Sequence, residues 1–305
     1  MRLGLLAVDA TRNAAHRGVA RGESGDSLRE MAGDPPITLC GSLSLFASPV
    51  GAAMHEAGYR ALGLDYRYVP FSLEERALGD ALKGMRALGI RGFGISMPFK
   101  IAILSLLDDI DPLALTIGAV NTVVNDAGRL TGHNTDAAGA VRALEEIGSV
   151  EERRVLVIGA GGAARAVVYG LWKAGAQVLV VNRNQRRAEA LVEEIRGAGL
   201  GGATAITLED ALASRPEFVV NATSVGMQGN PGEPIPAETL SRDCVVMDIV
   251  YKPLVTPWLE RCRRRGNTVI HGGRMLLHQA ARQFELYTGQ QAPLAAMDEA
   301  LQHFL

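Results

Sequence analysis

The chain has 305 residues, of which 48% are hydrophobic and 21% are charged, and its formal net charge is −2. These values are typical of a globular protein long enough for two domains, and the small net charge gives no basic field that would favour nucleic acid. No apolar run reaches transmembrane length, and the three cysteines show no metal-ligand spacing and indicate a reducing compartment. We therefore expect a cytoplasmic protein that holds no metal and binds neither membrane nor nucleic acid.

The first third of the chain begins with a segment of little hydrophobic periodicity. Residues 1–35 balance arginine against acidic residues, and we expect them to form a flexible extension. A strand is predicted at 37–40, followed by a polar loop at 41–44 and a helix that ends near Gly58. A second strand is predicted at 64–70 and an amphipathic helix at 73–88. Its inward face is predicted to consist of Leu78, Leu82, Met85 and Leu88.

The next segments place polar residues directly after short strands. Residues 94–100 predict a strand that leads into a helix with Lys100 at its start. Residues 117–125 predict a turn and a strand, and Asp-Ala-Gly at 126–128 predicts a hairpin whose second arm reaches Asp136. A helix over 137–147 then continues the chain into its central part.

The central stretch, 154–191, predicts a dinucleotide-binding unit. An apolar run at 155–158 ends at the glycine-rich sequence GAGGAA, a helical pattern follows up to Gly175, and a second apolar strand is predicted at 178–181. In this order of strand, glycine turn, helix and strand, Gly159 permits the tight turn, Gly161 lets the backbone approach phosphate, and Ala164 keeps the helix close to the sheet. The pyrophosphate of a dinucleotide is expected at the helix N-terminus.

The residues after the second strand of this unit favour NADP over NAD. An NAD site places a carboxylate there, whereas this chain has Asn182, Arg183 and Asn184, followed by Arg186 and Arg187. Guanidinium groups bind a 2′-phosphate through charge-assisted hydrogen bonds. The alternative, a solvated basic start to a surface helix, fits less well because cations at a helix N-terminus oppose its dipole.

The last third continues the alternation of strands and helices. Buried strands are predicted at 217–224, 244–251 and 268–270, and polar residues at strand ends are where ligands bind in an open α/β sheet. Thr256 and Pro257 open a helix, and the sequence at 272–275 leads into a long helix that contains Gln279.

Lys100 and Asp136 are the titratable pair with the clearest chemical use. A lysine held after a short strand can donate a proton, and an aspartate next to it can orient it. Each also has an ordinary structural interpretation, Lys100 as a helix-surface lysine and Asp136 as a helix N-cap. Asn121 fits a turn and Gln279 a solvated helix face, while His133 is a lone loop histidine that ranks below Lys100.

Taken together, the motifs resemble those of the shikimate dehydrogenase family in order and spacing. They are SMPFK at 96–100, GAVNT at 118–122, GHNTD at 132–136, GAGG at 159–162, NR at 182–183, NAT at 221–223 and GRM at 273–275 with Gln279. The resemblance spans about residues 39–287. It implies an α/β protein with a substrate-binding catalytic domain, residues 36–136 and 272–305, and a Rossmann-type NADP-binding domain, residues 137–271.

The resemblance also implies a reaction and a set of site residues. The reaction is reversible hydride transfer between NADPH and the ring carbonyl of 3-dehydroshikimate, with Lys100 as the catalytic lysine and Asp136 as its partner. The positions that match substrate contacts are Asn121, Tyr251 and Gln279. The positions expected to bind the cofactor are Gly159, Ala160, Gly161, Gly162, Ala163, Asn182, Arg183, Arg187, Thr223, Val250, Gly273 and Met275.

Two departures from the family pattern leave the substrate open. The family's His-Ser-x-Ser-Pro run is LFASP at 45–49, so only Ser48 matches, and Asn-x-Thr becomes Gly-Ile-Ser ending at Ser96. Ser42 and Ser44 are the residues that would have to replace the lost contacts, and this pattern is closer to the divergent shikimate dehydrogenase-like branch. A related ring acid such as quinate or an aminoshikimate, or a non-catalytic NADP sensor, remains an alternative, and we expect a monomer or a homodimer.

Overall fold

The computed structural model describes residues 37–197 and 201–304, so the extension predicted at 1–35 lies outside the described residues. The fold is built from two six-stranded sheets that follow one another along the chain. Both sheets have helices packed on them, which confirms the predicted α/β class. Among the helices of the described ranges, none combines the length and the hydropathy that crossing a membrane requires.

The first sheet is mixed and has the strand order β2-β1-β3-β5-β6-β4. Its strands are β1 (Thr38–Ser44), β2 (Tyr66–Ser72), β3 (Gly92–Ile95), β4 (Asp109–Ile110), β5 (Thr122–Asp126) and β6 (Arg129–His133). Its helices are α1 (Pro49–Ala61), α2 (Leu78–Ala87), α3 (Phe99–Ala102) and α4 (Pro112–Ile117), with 3-10 turns at Glu75–Ala77 and Ile103–Leu106. β1 runs parallel to β2 and β3, whereas β5 runs antiparallel to β3 and β6. The carboxyl ends of β1, β3 and β6 therefore meet the amino end of β5 at one edge of the sheet.

The second sheet is entirely parallel and has the order β12-β11-β10-β7-β8-β9. Its strands are β7 (Arg154–Ile158), β8 (Gln177–Val181), β9 (Ala203–Ala205), β10 (Phe218–Asn221), β11 (Val245–Asp248) and β12 (Thr268–Ile270). The strand order reverses between β7 and β10, and this switch point is where a doubly wound sheet binds its ligand. The predicted Rossmann-type arrangement is confirmed.

Helices cover the second sheet and connect it with the first. They are α5 (Asp136–Glu145), α6 (Gly162–Lys173), α7 (Gln185–Gly197), α8 (Leu208–Ala213), α9 (Pro257–Arg264), α10 (Gly272–Thr288) and α11 (Leu294–Gln302), with a 3-10 turn at Ala237–Thr239. α5 follows the last strand of the first sheet, and α10 follows the last strand of the second. The two helices pack closely at Gly139, where a Cβ would lie 2.9 Å from the Cβ of Gln279 and 2.9 Å from the carbonyl oxygen of Met275.

Several predicted elements differ from the structure. β1 continues through the predicted loop to Ser44, because both of its sides pair with parallel neighbours and this pairing outweighs the weak strand propensity of glycine and serine. The predicted helix at 73–88 begins as a 3-10 turn and ends at Ala87, so Leu88 lies at the C-cap and is 76% exposed rather than inward. α4, α8, α11, β4 and β9 were not predicted, and each is at most nine residues long, too short for a clear periodicity.

Candidate functional site

Lys100 and Asp136 face each other at the edge of the first sheet. The buried ring of Phe99 anchors the start of α3, and the main-chain carbonyl of Lys100 accepts a hydrogen bond from Val120 N at 2.9 Å. Lys100 Nζ then lies 2.7 Å from Asp136 Oδ2, and the two side chains are 30% and 16% exposed. Lys100 is therefore not a free surface lysine. Asp136 is not an N-cap either, because it is the first helical residue and Thr135 holds the cap position.

Asn121 connects this pair to α10. Its Nδ2 lies 2.8 Å from Asp136 Oδ1 and 3.2 Å from Gln279 Oε1, and the residue is 1% exposed. Its Oδ1 accepts hydrogen bonds from Thr122 Oγ1 and from the main-chain N–H of Thr135, both at 2.8 Å. Asn121 is thus a buried polar junction. The sheet topology brings these residues together, since Asn121 precedes β5 while Lys100 and Asp136 follow β3 and β6.

The serines expected to contact substrate differ in their environments. Ser42 lies close to the hydroxyl of Tyr68, and Ser44 is buried and donates to the carbonyl of Phe46 at 2.8 Å. Ser48 is exposed at the N-cap of α1 and makes no side-chain cap hydrogen bond. The side chain of Ser96 is exposed after β3. The loop after β1 therefore offers Ser48 as its free hydroxyl, while that of Ser44 is engaged within the loop.

The glycine turn after β7 forms an open cradle. Gly159 has φ 124°, a backbone conformation that favours glycine, and a Cβ there would lie 3.0 Å from the carbonyl oxygen of Ala222 at the end of β10. A Cβ at Gly161 or Gly162 would meet no atom within 4 Å. Gly161 is the N-cap of α6, so the N–H groups of the first helical turn have no carbonyl partner within the helix. This arrangement fits a pyrophosphate, with Ala160 and Ala163 completing the turn.

The basic residues after β8 are exposed and available for an anion. Asn182 Nδ2 donates to the carbonyl of Asn184 at 2.9 Å, which shapes the turn into α7. Arg183 and Arg187 are exposed, and within the described ranges neither is recorded in an ion pair. Two guanidinium groups beside the carboxyl end of β8 fit a 2′-phosphate.

A buried aspartate that sequence reasoning missed lies at the end of β11. Asp248 is fully buried and accepts hydrogen bonds from Asn221 Nδ2 at 2.9 Å, from Val250 N at 3.0 Å and from Thr256 Oγ1 at 2.8 Å. Burial raises the pKa of Asp248 to about 6. Asn221 Oδ1 in turn accepts from the N–H and the hydroxyl of Thr223. Asp248 therefore ties together the loops after β10 and β11.

These loops carry the residues expected at the nicotinamide end. Val250 lies against the start of α10, because a Cβ at Gly272 would come within 2.6 Å of the Val250 carbonyl oxygen. Gly273 and Met275 are buried in the first turn of the same helix. Tyr251 is 40% exposed on the loop after Val250. The sequence signal for Asp248 was an isolated aspartate directly after an apolar run. The structure adds that Asp248 lies in register with Asn221 of the paired strand.

Three family models match successive parts of the chain. Family models match as the shikimate dehydrogenase substrate binding domain at residues 45–123, shikimate/quinate 5-dehydrogenase at 142–227 and the shikimate 5′-dehydrogenase C-terminal domain at 272–302. The shikimate dehydrogenase (NADP+) of Haloarcula marismortui is 42% identical over 265 residues, which cover 86% of this chain and 98% of that protein.

Two solved structures of the same fold belong to enzymes named for different substrates. Shikimate 5-dehydrogenase of Thermus thermophilus, in complex with NADP(H) and shikimate, has a TM-score of 0.76 at 37% identity and covers 88% of this chain and 100% of its own. Ligand-free 5-ketofructose reductase of Gluconobacter sp. strain CHM43 has a TM-score of 0.79 at 36% identity, with coverages of 88% and 99%.

Proposed function

Because the chain belongs to the shikimate dehydrogenase family, we propose that it is an NADP-dependent oxidoreductase that interconverts 3-dehydroshikimate and shikimate. The observation that carries this proposal is the 2.7 Å contact between Lys100 Nζ and Asp136 Oδ2 at a sheet edge. Polar groups of Asn121 and Gln279 converge on the same point. A structural role alone does not require this set of polar residues to meet at one end of the sheet.

Lys100 is the proton donor in this mechanism. When NADPH is bound, it supplies the hydride for the carbonyl carbon of the substrate. Lys100 Nζ donates a proton to the carbonyl oxygen as charge develops there, and in the reverse direction it takes the proton back from the hydroxyl. Asp136 Oδ2 accepts another N–H of Lys100 and holds the ammonium group in place. Asn121 fixes the second carboxylate oxygen of Asp136.

The cofactor and substrate positions follow from the same arrangement. We assign the phosphates of NADP to the turn 159–163, the 2′-phosphate to Asn182, Arg183 and Arg187, and the nicotinamide to Thr223, Val250, Gly273 and Met275. We assign substrate contacts to Ser42, Ser44, Ser48, Ser96, Asn121, Tyr251 and Gln279. The open space at Gly161 and the exposed guanidinium groups support the cofactor assignment.

The first sheet supports a substrate-binding catalytic domain of residues 36–136 and 272–305, and the second an NADP-binding domain of residues 137–271. We expect the protein to act in the cytoplasm as a monomer or homodimer without nucleic acid. Light scattering of the purified protein tests the assembly state.

A second candidate substrate is a related ring acid such as quinate. The loop after β1 is the reason to test it, because Ser44 already donates to the carbonyl of Phe46 and Ser48 is the hydroxyl of the loop that remains free. A carboxylate or hydroxyl that a site fails to bind costs one to several orders of magnitude in specificity. Values of kcat/KM for shikimate and quinate with NADP will separate the two, since the preferred substrate should exceed the other by at least about tenfold.

The proposed reaction is tested by Lys100→Met. We expect kcat for NADPH-dependent reduction of 3-dehydroshikimate to fall by about 10²–10⁴-fold in Lys100→Met, the range of general acid catalysis. The dissociation constant of NADPH should stay within about twofold, because Lys100 is assigned to the substrate. Lys83→Met is the matched control, since Lys83 is 78% exposed on α2 and should leave kcat unchanged. A Lys100→Met enzyme with wild-type kcat would refute the mechanism.

A further inference from the structure

Two glutamines of α10 reach the same residue from different sides. Gln279 Oε1 lies 3.2 Å from Asn121 Nδ2. Gln283, one helical turn later, donates from Nε2 to the main-chain carbonyl of Asn121 at 3.1 Å and to Thr122 Oγ1 at 3.0 Å. Gln283 is only 5% exposed, so water cannot replace these bonds when they are lost. Gln279 thus contacts the side chain of Asn121, and Gln283 contacts its main chain.

The bond from Gln283 also sets the direction of the next hydrogen bond. Because Thr122 Oγ1 accepts from Gln283, its own proton is directed to Asn121 Oδ1 at 2.8 Å. Thr135 adds two further donors to the same oxygen, its N–H at 2.8 Å and its hydroxyl at 3.2 Å. Together these donors on Oδ1 keep the NH₂ group of Asn121 turned towards Asp136 Oδ1, which leaves Asp136 Oδ2 for Lys100.

Gln283 also lies over the strand that leads to Lys100. A Cβ at Gly94 in β3 would come within 3.3 Å of Gln283 Nε2 and 2.8 Å of the Tyr68 hydroxyl. The next residue of β3, Ile95, donates its N–H to the Asn121 carbonyl at 2.7 Å, the same oxygen that Gln283 contacts. The amide of Gln283 therefore sits at the junction of the strands that carry Lys100 and Asn121.

We propose that Gln283 is a positioning residue for the reaction, which acts through Thr122 and Asn121 on the Lys100–Asp136 pair. The inference rests on the oxidoreductase function proposed above. It concerns a residue that touches neither the substrate nor the reacting atoms, and its effect is to hold one orientation of the Asn121 amide. Because α10 also begins beside Val250, the same helix contacts the nicotinamide end and the proton-donating end of the site.

The test compares two substitutions of Gln283 with a control on the same helix. Gln283→Leu should lower kcat at least about tenfold at every pH, with KM for the ring substrate within about threefold. Gln283→Glu places a carboxylate against the main-chain carbonyl of Asn121, and both groups are acceptors. As the pH falls from 8 to 5 and the new carboxyl regains a proton, the kcat of this variant relative to wild type should therefore rise. Thr288→Val removes a hydroxyl that donates to the Phe284 carbonyl and accepts from the N–H of Gln290 at the end of α10, and kcat should not change.

A second pair covers the case in which the Gln283 variants do not fold. Thr122→Val should lower kcat as Gln283→Leu does, whereas Thr122→Ser, which keeps the hydroxyl, should retain at least about half of it. If Gln283→Leu has the kcat of the wild type, the inference is overturned and the proposed function is left intact. If the Gln283 variants do not fold, a wild-type kcat in Thr122→Val has the same meaning.

Absence of turnover in the wild type would instead contradict the proposed function. The inference is then tested by hydrogen exchange of the Asn121 side-chain NH₂ in NMR spectra. This exchange should accelerate at least about tenfold in Gln283→Leu and remain unchanged in Thr288→Val, and equal exchange in all three proteins would refute the positioning role.

Discussion

Replacing Asp248 by asparagine should stabilise the protein, and the gain should depend on pH. The carboxyl is fully buried, and burial raises its pKa from 3.8 to about 6. A carboxyl with a raised folded-state pKa contributes stability that is present below pH 3.8 and lost as the pH rises through about 6. The shift of roughly two units corresponds to about 3 kcal/mol of lost stability at pH 8, at 1.36 kcal/mol per unit.

Asparagine has the same shape and removes the ionisation. Its Oδ1 can still accept from Asn221 and Val250, and its NH₂ can donate to Thr256 Oγ1, which at present donates to the carboxylate. Any cost of exchanging these bonds does not vary with pH. The difference in unfolding free energy between Asp248→Asn and wild type should therefore grow by about 1.4 kcal/mol from pH 5 to pH 7 and be constant above pH 7.

Urea unfolding at pH 5, 6, 7 and 8 measures this difference, provided that the m-value stays constant. Asp243→Asn, an exposed aspartate before β11, is the control and should change the unfolding free energy by less than about 0.5 kcal/mol at each pH. A difference between Asp248→Asn and wild type that does not vary with pH would refute the assignment of a raised pKa.

Three further variants test the cofactor cradle and the core. Arg183→Glu combined with Arg187→Glu should reduce the preference for NADP over NAD at least about tenfold in kcat/KM, because carboxylates repel the 2′-phosphate; an unchanged ratio would contradict the assignment. Gly161→Val should raise KM for NADP at least about tenfold while urea unfolding without cofactor changes by less than about 1 kcal/mol, since a Cβ there meets no atom within 4 Å. Gly92→Ala should destabilise the fold by about 3 kcal/mol or more in the same assay, because its Cβ would lie 2.2 Å from the Tyr287 ring, and wild-type stability would mean that this ring moves aside.

The sequence predicted those parts of the fold in which local signals agree. The unit from β7 to β8 combines apolar β-branched runs, a glycine turn and a helical pattern, and it was found within a residue or two. The second half of β1 was missed because Gly41, Ser42 and Ser44 lack strand propensity. Pairing on both sides forms the strand there, and that information lies in distant segments.

The site shows the same limit. Lys100 and Asp136 could be selected as candidates, but each alone fitted an ordinary structural role better than a catalytic one. Their contact depends on β5 lying antiparallel between β3 and β6, which no local pattern reveals. Gln283 was missed for a different reason. It lies on the buried face of α10 beside Phe284, and a polar residue at such a position was a signal that could have been read.

The two sheets use a similar pair of residues for different chemistry. In each, a buried asparagine at a strand end donates its amide to an aspartate, Asn121 to Asp136 and Asn221 to Asp248. Asp136 is partly exposed and faces the ammonium group of Lys100. Asp248 is fully buried, and its recorded partners within the described ranges are neutral N–H and O–H donors. The cation and the access to solvent, rather than the Asn–Asp contact itself, therefore decide which carboxylate can serve proton transfer and which one shapes a loop.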